Sequence, residues 1–339
     1  MKVGDLSTPA LVVDATTLEQ NLATMAGALP GGRCRPHVKA HNCTGLAREQ
    51  HAHGHETFTC ATPRELAGLA AAGLGADLLL ANEVVDDERL TMLASLDARV
   101  TVAVDSIATI DAAARAGLRE CVVDVSVGMP RCGCAVDAAG ALAETARARG
   151  LEVRGVMGYE GHVVGLTDRD ERVRQTADAM ALLSTAHDAV GGEVISAGGT
   201  GTFDINTLAT EIQAGSYALM DTAYASLALP FVPALHLEAT VISVDQQGGF
   251  AVADCGLKSL GMDHGNPTIE GGDVWFCSDE HTTFSPAGGS ALPTVGDHVR
   301  VRPAHVDPTV AYHERYQIAD GDTPDASIVE TWAIDLRGW

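Results

Sequence analysis

Lysine is scarce in this sequence, and one lysine lies inside an apolar pattern. The chain has three lysines, Lys2, Lys39 and Lys258, and Lys39 ends the run Arg35-Pro-His-Val-Lys. The two-residue period of a strand places Lys39, His37 and Arg35 on one face. A lysine directed into an enclosed site loses hydration, which lowers the pKa of its ammonium group and frees an amine that can attack a carbonyl. This pattern indicates Schiff-base chemistry; a lysine that reaches solvent or pairs with a carboxylate is the competing interpretation.

Two glycine-rich stretches, Ser196–Thr202 and Gln213–Tyr217, contain groups that suit an anion. Glycines let backbone N–H groups approach a phosphate closely, and Ser or Thr hydroxyls add donors. Either stretch alone is more typical of an ordinary turn. Together with a strand-end lysine, the two favour a cofactor that has both an aldehyde and a phosphate, which is pyridoxal phosphate.

A third motif, His305-Val-Asp-Pro-Thr, places an imidazole and a carboxylate two residues apart. If the backbone is extended, His305 and Asp307 lie on one side of the chain. One nitrogen and one hard oxygen suit Mn²⁺, Mg²⁺ or Zn²⁺, with open positions for water or substrate. Two ligands are a weak motif, so an ordinary turn before a proline remains the alternative.

Apolar runs predict the elements that position these residues. From about residue 34 to residue 216, short apolar runs alternate with Ala-rich helical patterns, which is typical of repeated βα units. The predicted strands are Cys34–Lys39, Thr57–Cys60, Asp77–Ala81, Val100–Val104, Cys121–Val125, Val153–Gly158, Val194–Ala197 and Glu211–Ala214. Eight such units favour a (β/α)8 TIM-type barrel over an open doubly wound sheet, and catalytic groups would then collect at the carboxyl ends of the strands.

The pattern changes after Pro233 to short alternating stretches separated by Gly, Pro and Asp, which indicates an all-β domain. Its predicted strands are Leu237–Val244, Gly249–Asp254, Val274–Cys277, His298–Arg302 and Ile328–Ile334. We predict a barrel domain over residues 1–232, with a lead-in segment that includes Leu11–Asp14. Residues 233–339 would form a β domain that contains the metal ligands.

Charge and cysteine content limit the partners and the compartment. The chain has 45 acidic and 22 basic residues, a net charge of −23 at pH 7, so nucleic acid and anionic membranes are unfavourable partners. Eight cysteines follow a start without an apolar signal run, and we interpret them as reduced thiols of a cytoplasmic protein. No apolar stretch reaches the roughly 18 residues of a membrane span.

These residues and motifs resemble the D-threonine aldolase and D-serine dehydratase family, fold-type III pyridoxal-phosphate enzymes related to alanine racemase. The resemblance covers nearly the whole chain and implies a barrel followed by a β domain, usually in a homodimer. Ordered matches include Thr8-Pro-Ala-Leu-Val-Val-Asp, Arg35-Pro-His-Val-Lys-Ala-His, Val127-Gly-Met-Pro-Arg-Cys-Gly, Gly158-Tyr-Glu-Gly-His, Gly198-Gly-Thr-Gly-Thr-Phe, Gln213-Ala-Gly-Ser-Tyr and Pro303-Ala-His-Val-Asp-Pro-Thr. Where the commonest family form has Thr, this chain has Ala40.

The resemblance implies roles for individual residues. Lys39 would bond covalently to the cofactor aldehyde, Arg131 would lie near the phenolic oxygen of its ring, and Tyr159 would line the ring. His305 and Asp307 would bind a divalent metal. The cofactor phosphate would be held by two loops that contain Gly199, Thr200, Gly201, Gly215, Ser216 and Tyr217.

Asp307 favours one activity within the family, because D-serine dehydratases tend to have Cys at that position and aldolases tend to have Asp. We therefore expect a lyase that cleaves D-β-hydroxy-α-amino acids to glycine and an aldehyde, with Mn²⁺ or Mg²⁺ favoured over Zn²⁺. His162, after the sixth predicted strand, is the candidate general base, since an imidazole takes up a proton near neutral pH; a structural histidine explains it equally well. D-serine dehydratase and D-3-hydroxyaspartate aldolase activities remain alternatives. A non-catalytic cofactor carrier and an alanine racemase are further alternatives, but neither would need the metal site.

Overall fold

The computed structural model describes all residues from Met1 to Trp339 and contains two β-sheets and nine α-helices. The strands are β1 (Ala10–Asp14), β2 (Thr57–Cys60), β3 (Asp77–Leu80), β4 (Val100–Val104), β5 (Glu120–Asp124), β6 (Glu152–Gly158), β7 (Val194–Ala197), β8 (Glu211–Ile212), β9 (Leu235–Asp245), β10 (Phe250–Ala253), β11 (Thr268–Ile269), β12 (Gly272–Cys277), β13 (Thr282–Pro286), β14 (His298–Arg302), β15 (Arg315–Ala319) and β16 (Ile328–Ala333). The helices are α1 (Ala15–Ala28), α2 (Thr44–Ala52), α3 (Pro63–Ala71), α4 (Asp87–Ala94), α5 (Ile107–Ala116), α6 (Ala139–Ala148), α7 (Arg169–Val190), α8 (Thr222–Ala225) and α9 (Val306–Ala311).

The chain divides into two compact units. The barrel unit consists of Met25–Lys39, Leu46–Gly215 and Leu336–Trp339, and the β unit consists of Met1–Thr24, Ala40–Gly45 and Ser216–Asp335. The predicted division into domains at residue 232 stays a prediction. No helix of the chain is long and apolar enough to cross a bilayer.

The barrel unit contains a parallel sheet in the strand order β2-β3-β4-β5-β6-β7-β8. Its strands lie within one or two residues of their predicted positions, because strands buried on both faces appear in the sequence as continuous apolar runs. Helices begin at side-chain caps between them: Thr62, Ser106 and Asp168 accept hydrogen bonds from the first turns of α3, α5 and α7. The fold class predicted for this half of the chain is confirmed.

The predicted strand Cys34–Lys39 is not a regular strand. The segment instead forms two isolated bridges, one to β8 and one to β2, which close the parallel sheet. The N–H groups of Arg35 and His37 donate to the carbonyls of Ile212 in β8 and of Ala214 just after it. Pro36 has no N–H to donate towards β2, so the ladder on that side is incomplete. Lys39 therefore lies in a 3-10 turn, Val38–Ala40, directly after the bridging segment and not at the end of a strand.

An ionic network fills the amino-terminal end of the barrel. Both Nη atoms of Arg154 lie 2.9 Å from the two carboxylate oxygens of Asp77, and Arg35 pairs with Asp77 and with Glu211. All four side chains are nearly inaccessible to solvent. Burial opposes ionisation of Asp77, but hydrogen bonds and positive charge from Arg154 and Arg35 outweigh it and lower the pKa of that carboxyl. This end of the barrel is structural, which leaves the opposite end for chemistry.

The β unit contains a nine-stranded sheet in the order β10-β13-β12-β11-β14-β9-β1-β15-β16. The strand that we predicted as a lead-in to the barrel is β1, and it pairs antiparallel with β9 and parallel with β15. Its partners lie more than 200 residues further along the chain, so its own alternation could not identify its sheet. Three strands, β11, β13 and β15, were absent from the predicted set.

Candidate functional site

Loops after β5, β6 and β7 leave the same end of three neighbouring strands and contact one another. Arg131, in the loop after β5, places its guanidinium carbon 5.3 Å from the centroid of the Tyr159 ring, within cation–π range. A Cβ added to Gly199, in the turn after β7, would lie 3.6 Å from the same ring. The structure thus brings together three of the predicted cofactor residues at the carboxyl end of the sheet.

The turn after β7, residues 198–202, packs its backbone against the loop after β6. A Cβ on Gly201 would lie 1.9 Å from the carbonyl oxygen of Val164, and Gly198 has a φ of +78°, so both positions require glycine. Thr200, between them, is 2% exposed. Backbone and hydroxyl donors without bulky side chains form the type of cradle that phosphates occupy, so these residues fit a phosphate.

Lys39 and Gly215 also belong to the carboxyl end of the parallel strands. The segment that precedes Lys39 bridges β8 and β2, and Gly215 follows β8 by three residues. Lys39 is partly exposed and Gly215 is buried. A partly exposed amine at this end of the barrel fits a reversible covalent bond to an aldehyde.

Ser216 and Tyr217, two of the residues predicted to hold the phosphate, belong to the β unit. The carbonyl of Ser216 accepts a hydrogen bond from the N–H of Met220 at 2.7 Å. Tyr217 is fully buried, and its ring centroid lies 5.6 Å from that of Phe231. Their roles towards a phosphate stay predictions.

His162 is exposed and lies over a glycine of the neighbouring loop. A Cβ on Gly128 would lie 2.8 Å from Cε1 of His162, and Gly128 has a φ of +128°. The glycine therefore makes room for the imidazole. An accessible imidazole at this end of the barrel suits the proton acceptor that we predicted, and that role stays a prediction.

His305 is the N-cap residue of α9 in the β unit, and its two ring nitrogens face different carboxylates. Nδ1 lies 2.7 Å from Oδ2 of Asp263, and Nε2 lies 3.9 Å from Oδ1 of Asp307. Partial burial opposes ionisation of Asp263, but the hydrogen bond from His305 and the positive charge of the neighbouring imidazoles together outweigh it and lower the pKa of that carboxyl. An ionised carboxylate can only accept, so Nδ1 carries the proton and the lone pair of a neutral ring is on Nε2.

The side of His305 that faces Asp307 fits a divalent cation. Two ligand atoms about 2.1 Å from one ion are separated by roughly 3 to 4 Å, depending on the angle at the ion. The observed 3.9 Å lies within that range. The predicted pair of ligands is thus brought together, and Asp263 provides the carboxylate that commonly orients a metal-binding imidazole.

The other side of the ring offers a competing set of ligands. Asp263, His264 and His305 place three ligand atoms within 4.8 Å of one another, and the rings of the two histidines stack with centroids 3.9 Å apart. An ion in this group would use Nδ1 and would displace the proton that Asp263 accepts. The two arrangements predict different effects of removing Asp263.

Asp221 fixes the backbone around these ligands from the segment before α8. Its carboxylate caps α8 and accepts a hydrogen bond from the N–H of Val306 at 3.0 Å. Burial raises the pKa of Asp221, although both backbone N–H groups favour the charged form. Within the first turn of α9, the hydroxyl of Thr309 donates to the carbonyl of His305 at 2.7 Å.

Sequence reasoning missed an acidic cluster at the barrel's carboxyl end. Asp124 ends β5, Asp105 follows β4 and Glu83 follows β3. Burial and the adjacent Glu83 carboxyl raise the pKa of Asp124 to about 8, while Arg131 opposes the shift. The N–H of Gly133, in the Arg131 loop, donates to Asp105 at 3.3 Å. The available signal was positional, since each acid lies at the carboxyl end of a barrel strand or within three residues after it.

Two further residues were missed, Glu160 and Asp263. Glu160 follows the predicted ring residue Tyr159 and is completely buried, so an acid two residues after a strand was again the available signal. Asp263 lies in a loop 42 residues before His305, and no spacing rule connects the two.

Comparison with known proteins is consistent with this geometry. Residues 13–222 match the family model of the alanine racemase N-terminal domain, and residues 234–319 match that of a serine dehydratase domain. The D-threonine aldolase of an Arthrobacter species is 31% identical over 98% of this chain and 93% of its own length. The 3-hydroxy-D-aspartate aldolase of Paracoccus denitrificans is 30% identical over 100% of this chain and 94% of its own length.

A solved structure is similar over almost the same extent. The crystal structure of D-threonine aldolase from Filomicrobium marinum superposes with a TM-score of 0.93 at 33% identity, covering 98% of this chain and 96% of that one.

Proposed function

This chain belongs to the D-threonine aldolase family of alanine racemase-like, pyridoxal-phosphate-dependent proteins, and on that premise we propose that it is a D-threonine aldolase-type lyase. It would cleave D-β-hydroxy-α-amino acids between Cα and Cβ, with glycine and an aldehyde as products. The observation that supports this most is the His305 and Asp307 pair, a nitrogen and a hard oxygen 3.9 Å apart, in a chain whose relatives include two aldolases.

The residues predicted from the sequence would bind the cofactor. Lys39 would form the covalent bond to its aldehyde, Tyr159 and Arg131 would contact its ring, and Gly199–Gly201 with Gly215–Tyr217 would hold its phosphate. When bound, pyridoxal phosphate withdraws electrons from the Cα of the amino acid, and a divalent cation polarises the β-hydroxyl.

Residues of the β unit would bind the cation. His305 would use Nε2 and Asp307 would use Oδ1, while Asp263 keeps the proton on Nδ1 of the imidazole. An imidazole, a carboxylate and open positions for oxygen ligands form a site that suits Mn²⁺ or Mg²⁺. Structural Zn²⁺, by contrast, is bound in closed sites that are rich in sulfur ligands. We therefore infer Mn²⁺ or Mg²⁺.

His162 would accept the proton of the β-hydroxyl. It is exposed at the carboxyl end of the barrel, and the small Gly128 beneath it leaves the ring accessible. As the Cα–Cβ bond breaks, this proton leaves the hydroxyl and a proton is returned to Cα to give glycine.

Product analysis tests this function against its alternatives. Purified protein with pyridoxal phosphate and Mn²⁺ is given D-threonine, D-phenylserine, D-3-hydroxyaspartate or D-serine. We expect glycine and aldehyde from D-threonine and D-phenylserine, and EDTA should abolish the reaction. Pyruvate from D-serine without aldehyde would assign a dehydratase. Glycine and glyoxylate from D-3-hydroxyaspartate, with no cleavage of the other substrates, would assign that narrower aldolase.

We further infer a cytoplasmic homodimer. Support for the compartment comes from the eight cysteines, which the structure contains as thiols, the form expected in a reducing environment. Light scattering of purified protein tests the dimer: its mass should be twice the 35.1 kDa of one chain.

A further inference from the structure

Glu160 is a buried carboxylate with uncharged hydrogen-bond donors. Its relative exposure is 0%, and it lies two residues beyond the end of β6. Oε2 accepts from the N–H of Gly198 at 3.1 Å, and Oε1 accepts from the hydroxyl of Thr202 at 2.8 Å and from the amide of Asn206 at 3.2 Å. Every one of these donors belongs to the turn after β7 or to the residues directly following it.

A buried carboxylate is costly unless several donors converge on it. A neutral side chain could join two loops at lower cost, so the charge indicates a requirement for an acceptor at each of these positions. Both carboxylate oxygens accept hydrogen bonds, one from the start of the turn and one from its end. The carboxylate thereby fixes the two ends of the turn relative to each other.

The hydrogen bonds continue through the turn itself. The hydroxyl of Thr202 donates to Glu160 and accepts from the N–H of Gly199 at 3.2 Å. The first two N–H groups of the turn are therefore directed towards its inner side. Thr200 and Gly201, the residues between these fixed points, are among those to which the proposed function assigns the phosphate.

We propose that Glu160 is a positioning residue that orders the 198–202 turn for the phosphate of the cofactor, an inference that rests on the proposed function. Glu160 does not touch the phosphate in this scheme; it accepts hydrogen bonds on the inner side of the turn. Removing its charge should therefore weaken recognition of the phosphate while the covalent chemistry of Lys39 is left intact.

The test compares two ligands that differ only in the phosphate. Dissociation constants for pyridoxal phosphate and for pyridoxal are measured by absorbance titration of the wild type and of Glu160→Gln. One of the three donors would then face the –NH₂ group of Gln. We expect the ratio of the pyridoxal constant to the pyridoxal phosphate constant to fall by about tenfold, with the pyridoxal constant itself changed by less than about twofold.

Glu65→Gln is the matched control. Glu65 is also a buried carboxylate of the barrel unit, and the backbone N–H groups from which it accepts, those of Ala61 and Thr62 at the start of α3, lie outside the turn. In Glu65→Gln, the ratio of the pyridoxal constant to the pyridoxal phosphate constant should equal that of the wild type. Should Glu160→Gln fail to fold, Thr202→Val removes the hydroxyl that links Gly199 to the carboxylate, and the same fall in the ratio is expected.

The possible outcomes distinguish the positioning role of Glu160 from the proposed function of the protein. An unchanged ratio in folded Glu160→Gln, or equal weakening of both ligands, would overturn the positioning role. Wild-type protein that binds neither ligand would instead refute the proposed function. A lower melting temperature with an unchanged ratio would assign Glu160 to stability alone.

Discussion

Asp263 provides a test of how the metal ligands are oriented. Replacement by Ala removes the carboxylate that accepts from Nδ1 of His305 at 2.7 Å and leaves His305 and Asp307 in place. Loss of such a partner commonly reduces metal affinity by about 10- to 100-fold. The side chain of Asp263 is 56% exposed, so water can replace part of the interaction and the loss should be near the lower limit. We expect a Mn²⁺ dissociation constant about tenfold higher, equivalent to about 1.4 kcal/mol.

Isothermal titration of metal-free protein with Mn²⁺ measures this directly. Asp263→Asn, which keeps a neutral acceptor, should lose about threefold, since hydrogen bonds to charged groups are roughly twice as strong as neutral ones. Asp325→Asn, an exposed acid of the same unit, is the control and should bind as the wild type does. An unchanged constant in Asp263→Ala would refute the orienting role. A loss as large as that of His305→Ala would make Asp263 itself a ligand, in the group with His264.

Two further predictions concern the barrel. Arg154→Ala leaves the buried Asp77 without its bidentate partner and should lower the free energy of unfolding by about 3 to 5 kcal/mol in urea denaturation. The control Arg115→Ala removes an exposed ion pair and should lower it by less than about 1 kcal/mol. Equal effects of the two substitutions would contradict the burial argument. Because burial and Glu83 raise the pKa of Asp124 to about 8, folding takes up a proton there, so this carboxyl stabilises the fold fully below pH about 4 and that contribution is lost as the pH rises to about 8. Asp124→Asn should flatten this part of the stability–pH curve from thermal denaturation, and an identical slope in both proteins would exclude Asp124 as its source.

Most of the parallel sheet could be predicted because its strands are buried on both faces and are therefore continuous apolar runs. The closing segment could not be predicted as an irregular bridge, since its alternation is that of a strand and the effect of Pro36 depends on which neighbour its missing N–H faces. In the β unit, β11 has only two residues and β13 begins with two buried threonines, so neither presents an apolar pattern. The sheet to which β1 belongs depends on partners far along the chain.

Some residues of the candidate site could likewise be predicted from the sequence, and others could not. Lys39, the glycine turns and the His305 motif could be found because their residue types are unusual beside apolar runs and their spacing is local. Glu160 and Asp263 could not be given roles, because a hydrogen bond between residues about 40 positions apart exists only after the loops have been placed. The exposed position of His162 over Gly128 likewise follows from the fold and not from its neighbours in the chain.

Covalent mapping of the cofactor tests the central claim most directly. Protein incubated with pyridoxal phosphate is reduced with borohydride, digested and analysed by mass spectrometry, and the three lysines of the chain make the assignment unambiguous. We predict the reduced pyridoxyl phosphate adduct on Lys39 and its absence from Lys39→Ala. Adduct formation on Lys2 or Lys258 with Lys39 unmodified, or unchanged labelling of Lys39→Ala, would contradict the assignment of Lys39 and with it the proposed chemistry.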